Sequence, residues 1–228
     1  MKLLEIISFD PTKTKRTAKA GEERSKKAFD KELGAGFAAT VYSTGSNKRL
    51  NQVTKMGKAG RVNRKDLSFE QISKITNDGY LAYISAVKEY ENSGKFNPYF
   101  PRVDDIKIFQ ESDGKIHYRI NLEKLYSIHI EKIYKNTDLI RSLIHNMFDI
   151  NDNQIKDENP EETLLYLMLR LDYPTVRAMI KDNNLIEALD LISGLRRGGK
   201  FSFDLGASNM MWRVTGSMPQ IVITDPLI

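Results

Sequence analysis

The hydrophobic pattern of this chain turns from mostly strand-like to helical after Glu123, and that change limits the folds open to it. Before it, short runs with turn residues between them read as strands. The runs lie on either side of Gly34-Ala35-Gly36, then over 50–56, 103–109 and 116–122. Ser112-Asp113-Gly114 supplies the turn of the last pair. A helical stretch over 68–92 separates the third strand from the fourth, with Asp78-Gly79 as a break within it. After Glu123 the runs 128–147, 161–180 and 185–195 carry the helical period. Asn159-Pro160-Glu161-Glu162 reads as a helix start and Arg196-Arg197-Gly198-Gly199 as a helix end. The expected class is α+β. A five-stranded antiparallel part with one main helix comes first, and a mostly helical part follows.

Composition narrows the setting. The 228 residues are 40% hydrophobic and 29% charged, enough for a core and a wetted surface, with a net charge of +5. Over residues 1–74, Lys and Arg outnumber Asp and Glu by about two to one. Lys13, Lys15, Arg16, Lys19, Arg24, Lys26 and Lys27 make 1–32 a basic extension. That extension is the place for a nucleic-acid contact, but it lacks the interleaved aromatic residues on which bases stack. With 0 Cys the chain has no disulfide or thiolate metal site, which suits a reducing compartment. No apolar run approaches the roughly 20 residues of a membrane span, and the first ten residues lack the features of a secretory signal.

Four groups of residues carry chemistry, in a fixed order. Gly34-Ala35-Gly36, with Val41 behind it, is a Gly-x-Gly turn between strands, where backbone N–H groups can face phosphate oxygens. Lys55 lies on the third strand run. Asp204 is followed five residues later by Asn209, and the apolar run Ile221-Val222-Ile223 then delivers Asp225. A carboxylate, an amide oxygen and a second carboxylate spaced in this way suit phosphoryl transfer. One acid takes the proton of the attacking hydroxyl, and the other two groups hold magnesium on the phosphates. By themselves, an Asp and an Asn in a turn also serve as local backbone caps.

The order of these parts resembles a protein kinase. At Ser202-Phe203-Asp204, Ser208-Asn209-Met210-Met211 and Ile223-Thr224-Asp225-Pro226 the chain is similar to the early-expressed serine/threonine protein kinases of short-tailed bacteriophages, which help redirect the host. The resemblance covers about residues 33–228 and implies a bilobed kinase-like fold, minimal or truncated after the metal-binding Asp225. It divides the chain into the extension 1–32, an N-lobe over 33–124 and a helical C-lobe over 125–228. It implies ATP and Mg2+ as cofactors, bacterial host proteins as partners and the host cytoplasm as the place of action.

By the same resemblance, Gly34, Ala35, Gly36 and Val41 would cover the nucleotide and Lys55 would bind its phosphates. Leu122 would begin the hinge beside the adenine. Asp204 would be the catalytic acid–base, and Asn209 and Asp225 the metal ligands. Several positions depart from the family pattern. Ser202 and Phe203 stand where most kinases have His and Arg, and Gly206 stands where they place a phosphoryl-neutralising Lys. Pro226-Leu227 replaces Phe-Gly, and Glu89 is the nearest acid to partner Lys55 from the helix. These departures leave a second expectation: a catalytically weak or inactive kinase-like module that binds and inhibits a host protein.

Overall fold

The computed structural model describes residues 32–35, 39–43, 52–61, 71–72, 77–110, 113–127, 136–198, 201–215 and 218–228. Of the expected features, residues 1–31 of the extension 1–32, Gly36, 50–51, 68–70, 73–76, 128–135 and Gly199 lie outside these residues. The fold is mixed α+β with small antiparallel sheets. The chain divides into two compact units, one of 1–85 with 102–124 and one of 86–101 with 125–228.

The first unit is built on a five-stranded sheet in the order β1-β2-β3-β5-β4. Its strands are β1 (Glu32–Ala35), β2 (Ala39–Ser43), β3 (Gln52–Arg61), β4 (Val103–Gln110) and β5 (Lys115–Glu123). Alternation fixes its two faces. Val103, Ile106 and Ile108 of β4 and Ile116, Tyr118 and Ile120 of β5 are buried, whereas Lys107 and Phe109 between them are exposed. The strand β3 runs to Arg61, past the expected end at Met56. Gly57 reads as a break in the sequence, yet in the sheet it faces Tyr118 of β5. A Cβ on Gly57 would lie 2.3 Å from the Tyr118 ring, so this strand can pass the ring only without a side chain there. The register then shifts between Lys58 and Arg61, around Gly60 at φ 90°, a bulge that glycine accepts.

Helix α1 (Gly79–Asn92) begins where the sequence placed a break. Asn77 takes a left-handed φ of 51°, and Asp78 caps the helix by accepting the Leu81 N–H at 2.9 Å. Leu81, Tyr83 and Ile84 of its first half are fully buried.

The second unit holds helices α2 (Thr137–Met147), α3 (Pro160–Met168), α4 (Pro174–Arg177) and α5 (Asn183–Gly198). The expected single helix over 161–180 is split, because Leu169–Tyr173 turns and Pro174 opens a new helical turn. Buried faces come from Ile140, Leu143 and Ile144 on α2, Leu164 and Leu167 on α3, and Leu185, Leu189 and Ile192 on α5. A three-stranded sheet of β6 (Tyr126–Ser127), β7 (Met210–Thr215) and β8 (Met218–Ile223) completes the unit. Among the described residues no helix is long and apolar enough to cross a membrane.

Candidate functional site

Asp204, Asn209 and Asp225 are brought together by backbone pairing at the open end of the β7–β8 hairpin. Ile221, Val222 and Ile223 are buried on β8, and Trp212 is fully buried on β7, so the hairpin has a fixed register against the core. At the open end of the hairpin, next to the Met210–Ile223 pair, the Thr224 N–H donates to the Asn209 carbonyl at 2.8 Å. Beyond it the chain runs back along 202–204. The Asp204 N–H donates to the Pro226 carbonyl at 2.8 Å, Phe203 bridges to Leu227, and Ser202 and Ile228 exchange bonds of 2.8 and 3.1 Å. Phe201 and Leu205 are buried on either side of this seam and anchor it. Asp204 is exposed between them, and Asn209 and Asp225 are half-buried.

Local chemistry fixes the Asn209 side chain. The segment Ala207–Asn209 is a short 3-10 turn closed by the Asn209 N–H on the Gly206 carbonyl at 2.9 Å. The Asn209 amide Nδ2 donates to the Asp204 carbonyl at 2.9 Å. The amide thus spends its donor on the loop and keeps its oxygen as an acceptor. An amide oxygen and a carboxylate are hard oxygen ligands, the set that suits magnesium when substrate phosphates supply further oxygens. Among the described residues no cluster of three or more His, Cys, Asp or Glu occurs, so a metal here would rest on Asn209, Asp225 and a ligand.

The hairpin is held from below by residues 97–101. Arg213, 4% exposed, donates to the Pro98 carbonyl at 2.8 Å and to the Phe100 carbonyl at 2.7 Å. The Ile223 N–H donates to the Tyr99 carbonyl at 2.9 Å. The Tyr99 hydroxyl donates to Asp182 at 2.7 Å, and the Asn97 amide donates to the Asn184 carbonyl at 2.7 Å. Burial, then the Asp182 hydrogen bond and charge, hold the Tyr99 phenol well above the usual range. This chain of bonds ties the strand carrying Asp225 to the start of α5.

The other candidates lie in the first unit. Lys55 is half-buried on β3, between Val41 of β2 and Ile120 of β5. Its Nζ stands 3.3 Å from the centroid of the Tyr80 ring, a cation–π contact from the first turn of α1. Gly34 pairs with Val41 and Ala35 with Thr40 in the antiparallel β1–β2 pair. Leu122 sits near the end of β5 between Val53 and Val103.

Two residues near these candidates escape a reading of the sequence. Tyr80 reads as an ordinary apolar helix position, and only the fold puts its ring under Lys55. Arg196 reads as a helix-end cation, yet its guanidinium lies 4.8 Å from the Phe203 ring, directly before Asp204. The expected helix end at Arg196-Arg197-Gly198-Gly199, so close in sequence to Phe203, is the advance signal. No protein-family model matches the chain, and no curated protein matches it significantly.

Proposed function

We propose that the chain is an ATP- and magnesium-dependent serine/threonine protein kinase of the phage host-takeover type, acting on bacterial host proteins in the host cytoplasm. The observation that carries this reading is the seam that joins Asp204 to Pro226 and Asn209 to Thr224, which sets two acids and an amide at one end of a buried hairpin. In this proposal the five-stranded sheet is the nucleotide-covering lobe and the helical unit is the second lobe of a kinase-like fold. Gly34, Ala35, Gly36 and Val41 cover the phosphates, Lys55 pairs with them, and Leu122 opens the hinge.

The exposed Asp204 carboxylate accepts the proton of a substrate Ser or Thr hydroxyl as its oxygen attacks the γ-phosphorus. The bond from that phosphorus to the β–γ bridging oxygen breaks and ADP leaves. Asn209 and Asp225 hold magnesium, which when bound neutralises charge on the phosphate oxygens. The Arg213 and Tyr99 bonds fix the hairpin so that these ligands keep their geometry while the substrate exchanges.

A second reading, a catalytically weak or inactive kinase-like module that binds and inhibits a host protein, is favoured by two observations. The Lys55 ammonium is engaged by the Tyr80 ring, and Gly206 supplies no cation beside Asp204. Transfer from γ-labelled ATP with magnesium, to the protein and to a bacterial lysate, separates the two. Wild type, Asp204→Ala and Asp225→Ala are compared. Label lost in both variants supports the kinase. Equal label in all three indicates a contaminating kinase and refutes it, and absence of label in wild type leaves the binding module.

A further inference from the structure

We propose that the outward face of the five-stranded sheet binds single-stranded nucleic acid. This face is the one opposite Tyr118, Ile120 and Ile108, and strand alternation decides which residues it carries. Across β3, β5 and β4 one row is Lys58, His117 and Phe109, and the next is Met56, Arg119 and Lys107. Lys58, Lys107 and Phe109 are exposed, Phe109 by 47%. The rows are about 7 Å apart along the strands and the strands about 5 Å apart, so the three permanent cations share one patch.

The patch is costly for the sheet by itself. Lys107 and Arg119 are directly opposite, and like charges in that relation destabilise a strand pair. Asp105, 3.5 Å from Lys107, offsets part of this. Among the described residues Lys58 and Arg119 have no acidic partner; Arg119 is half-buried, and its Nε, out of contact with solvent, makes no hydrogen bond. An anionic ligand would relieve the repulsion. The exposed Phe109 ring beside the cations favours a nucleic acid over an acidic protein, because a base can stack on the ring while its phosphates meet the cations. The sheet face thus sets an aromatic ring among cations, and the inference does not depend on phosphoryl transfer.

Fluorescence anisotropy of a labelled, unstructured oligonucleotide, titrated with the full chain at several salt concentrations, tests it. Three variants are compared with wild type: Lys58→Gln/Arg119→Gln/Lys107→Gln, the milder Lys58→Gln/Lys107→Gln, and Phe109→Ala, each checked for folding by circular dichroism. Removing three phosphate contacts should lower the slope of log K against log salt by about 2, and removing two by about 1.4. The milder pair, at exposed positions, keeps the test decisive if Arg119→Gln fails to fold. Phe109→Ala should weaken binding about tenfold. Failure of wild type to bind at low salt overturns the proposal, as does an unchanged slope in the charge variants. Phe109→Ala binding like wild type, with heparin competing as well as the oligonucleotide, overturns it in favour of a general polyanion surface.

Discussion

Gly57 leaves no room for a Cβ beside the Tyr118 ring, and Gly57→Ala tests how β3 is held. An added Cβ would lie 2.3 Å from both Cζ and Oη of Tyr118 and 2.8 Å from Cε2. Tyr118 is 2% exposed, so its ring has no open side to move into. It also lies 6.1 Å, centroid to centroid, from the Tyr80 ring that carries the Lys55 ammonium. Relief of the clash therefore pushes on the Lys55 contact. Forcing an extra methyl into a packed core costs about 1–3 kcal/mol. Replacing Gly by Ala returns about 0.4–1 kcal/mol by restricting the unfolded chain. The net expectation is a destabilisation of about 1–2 kcal/mol. In urea this lowers the midpoint by about 0.5–1 M for a slope near 2 kcal/mol per M. Tyr118→Leu removes the ring that is struck. In that background the same Gly57→Ala change should cost nothing or stabilise slightly, so a double-mutant cycle should show a coupling above about 1 kcal/mol. Wild-type stability in Gly57→Ala, or an equal cost in both backgrounds, would refute the close-approach account of this strand.

Three further outcomes follow from named contacts. A nucleotide that takes up Lys55 must compete with the Tyr80 ring, a contact worth about 1–2 kcal/mol at a buried ring. Tyr80→Leu should therefore bind ATP about 5- to 30-fold more tightly, whereas Tyr80→Phe should match wild type; equal affinities in all three would remove the ring from the account. A Cβ at Gly206 would meet Asp204 Oδ1 and Ser208 Oγ at an ordinary 3.6 Å, and its φ of −65° suits any residue, so the loop has room for a lysine. On the kinase reading Gly206→Lys should raise kcat about tenfold or more by placing a cation beside the transferred phosphoryl, and a fall in kcat with the fold intact would count against that role. Burial and then Glu187 raise the Tyr90 phenol to about 12, and the Tyr99 phenol is raised further in the same direction. A raised phenol favours the folded state fully below pH about 10, and the benefit is lost as pH climbs from 10 toward the folded values, because the unfolded chain releases its protons first. Thermal melts from pH 9 to 12 should show that fall, and Tyr99→Phe/Tyr90→Phe should flatten it; an unchanged slope in the variant would place the fall elsewhere.

The sequence exposes the parts of this molecule whose cause is local and hides those whose cause is a distant partner. The β4–β5 hairpin is legible because period-two alternation and a Ser-Asp-Gly turn lie within one short stretch. The start of α1 is legible to within two residues because Asp78 is both the break and the cap. β3 is read short because the element that lets Gly57 sit in a strand is Tyr118, far along the chain, and without it glycine signals a turn. Helix 161–180 is read long because the apolar spacing continues through Leu169–Tyr173, although Pro174 marks where a new turn must open.

The same distinction applies to the candidate site. Asp204, Asn209 and Asp225 stand out by spacing, but the seam that joins them consists of two-residue backbone pairings, and pairings that short leave no hydrophobic period. Nor does a pattern of residue types reveal that Arg213 reaches the carbonyls of Pro98 and Phe100. That buried cation explains why the hairpin can present its ends so consistently. Its two acceptors lie in a loop whose Tyr99 and Asn97 are in turn fixed to the start of α5. The geometry around Asp225 is thus set by residues more than one hundred positions away, none of them chemically reactive. Moving the Asp or Asn alone would leave that support in place. Loosening Arg213 should shift Asn209 and Asp225 with the hairpin, and Asp204 with them, because its N–H is bound to the Pro226 carbonyl. On the kinase reading, the proton acceptor and the metal ligands would therefore rest on one support and fail together.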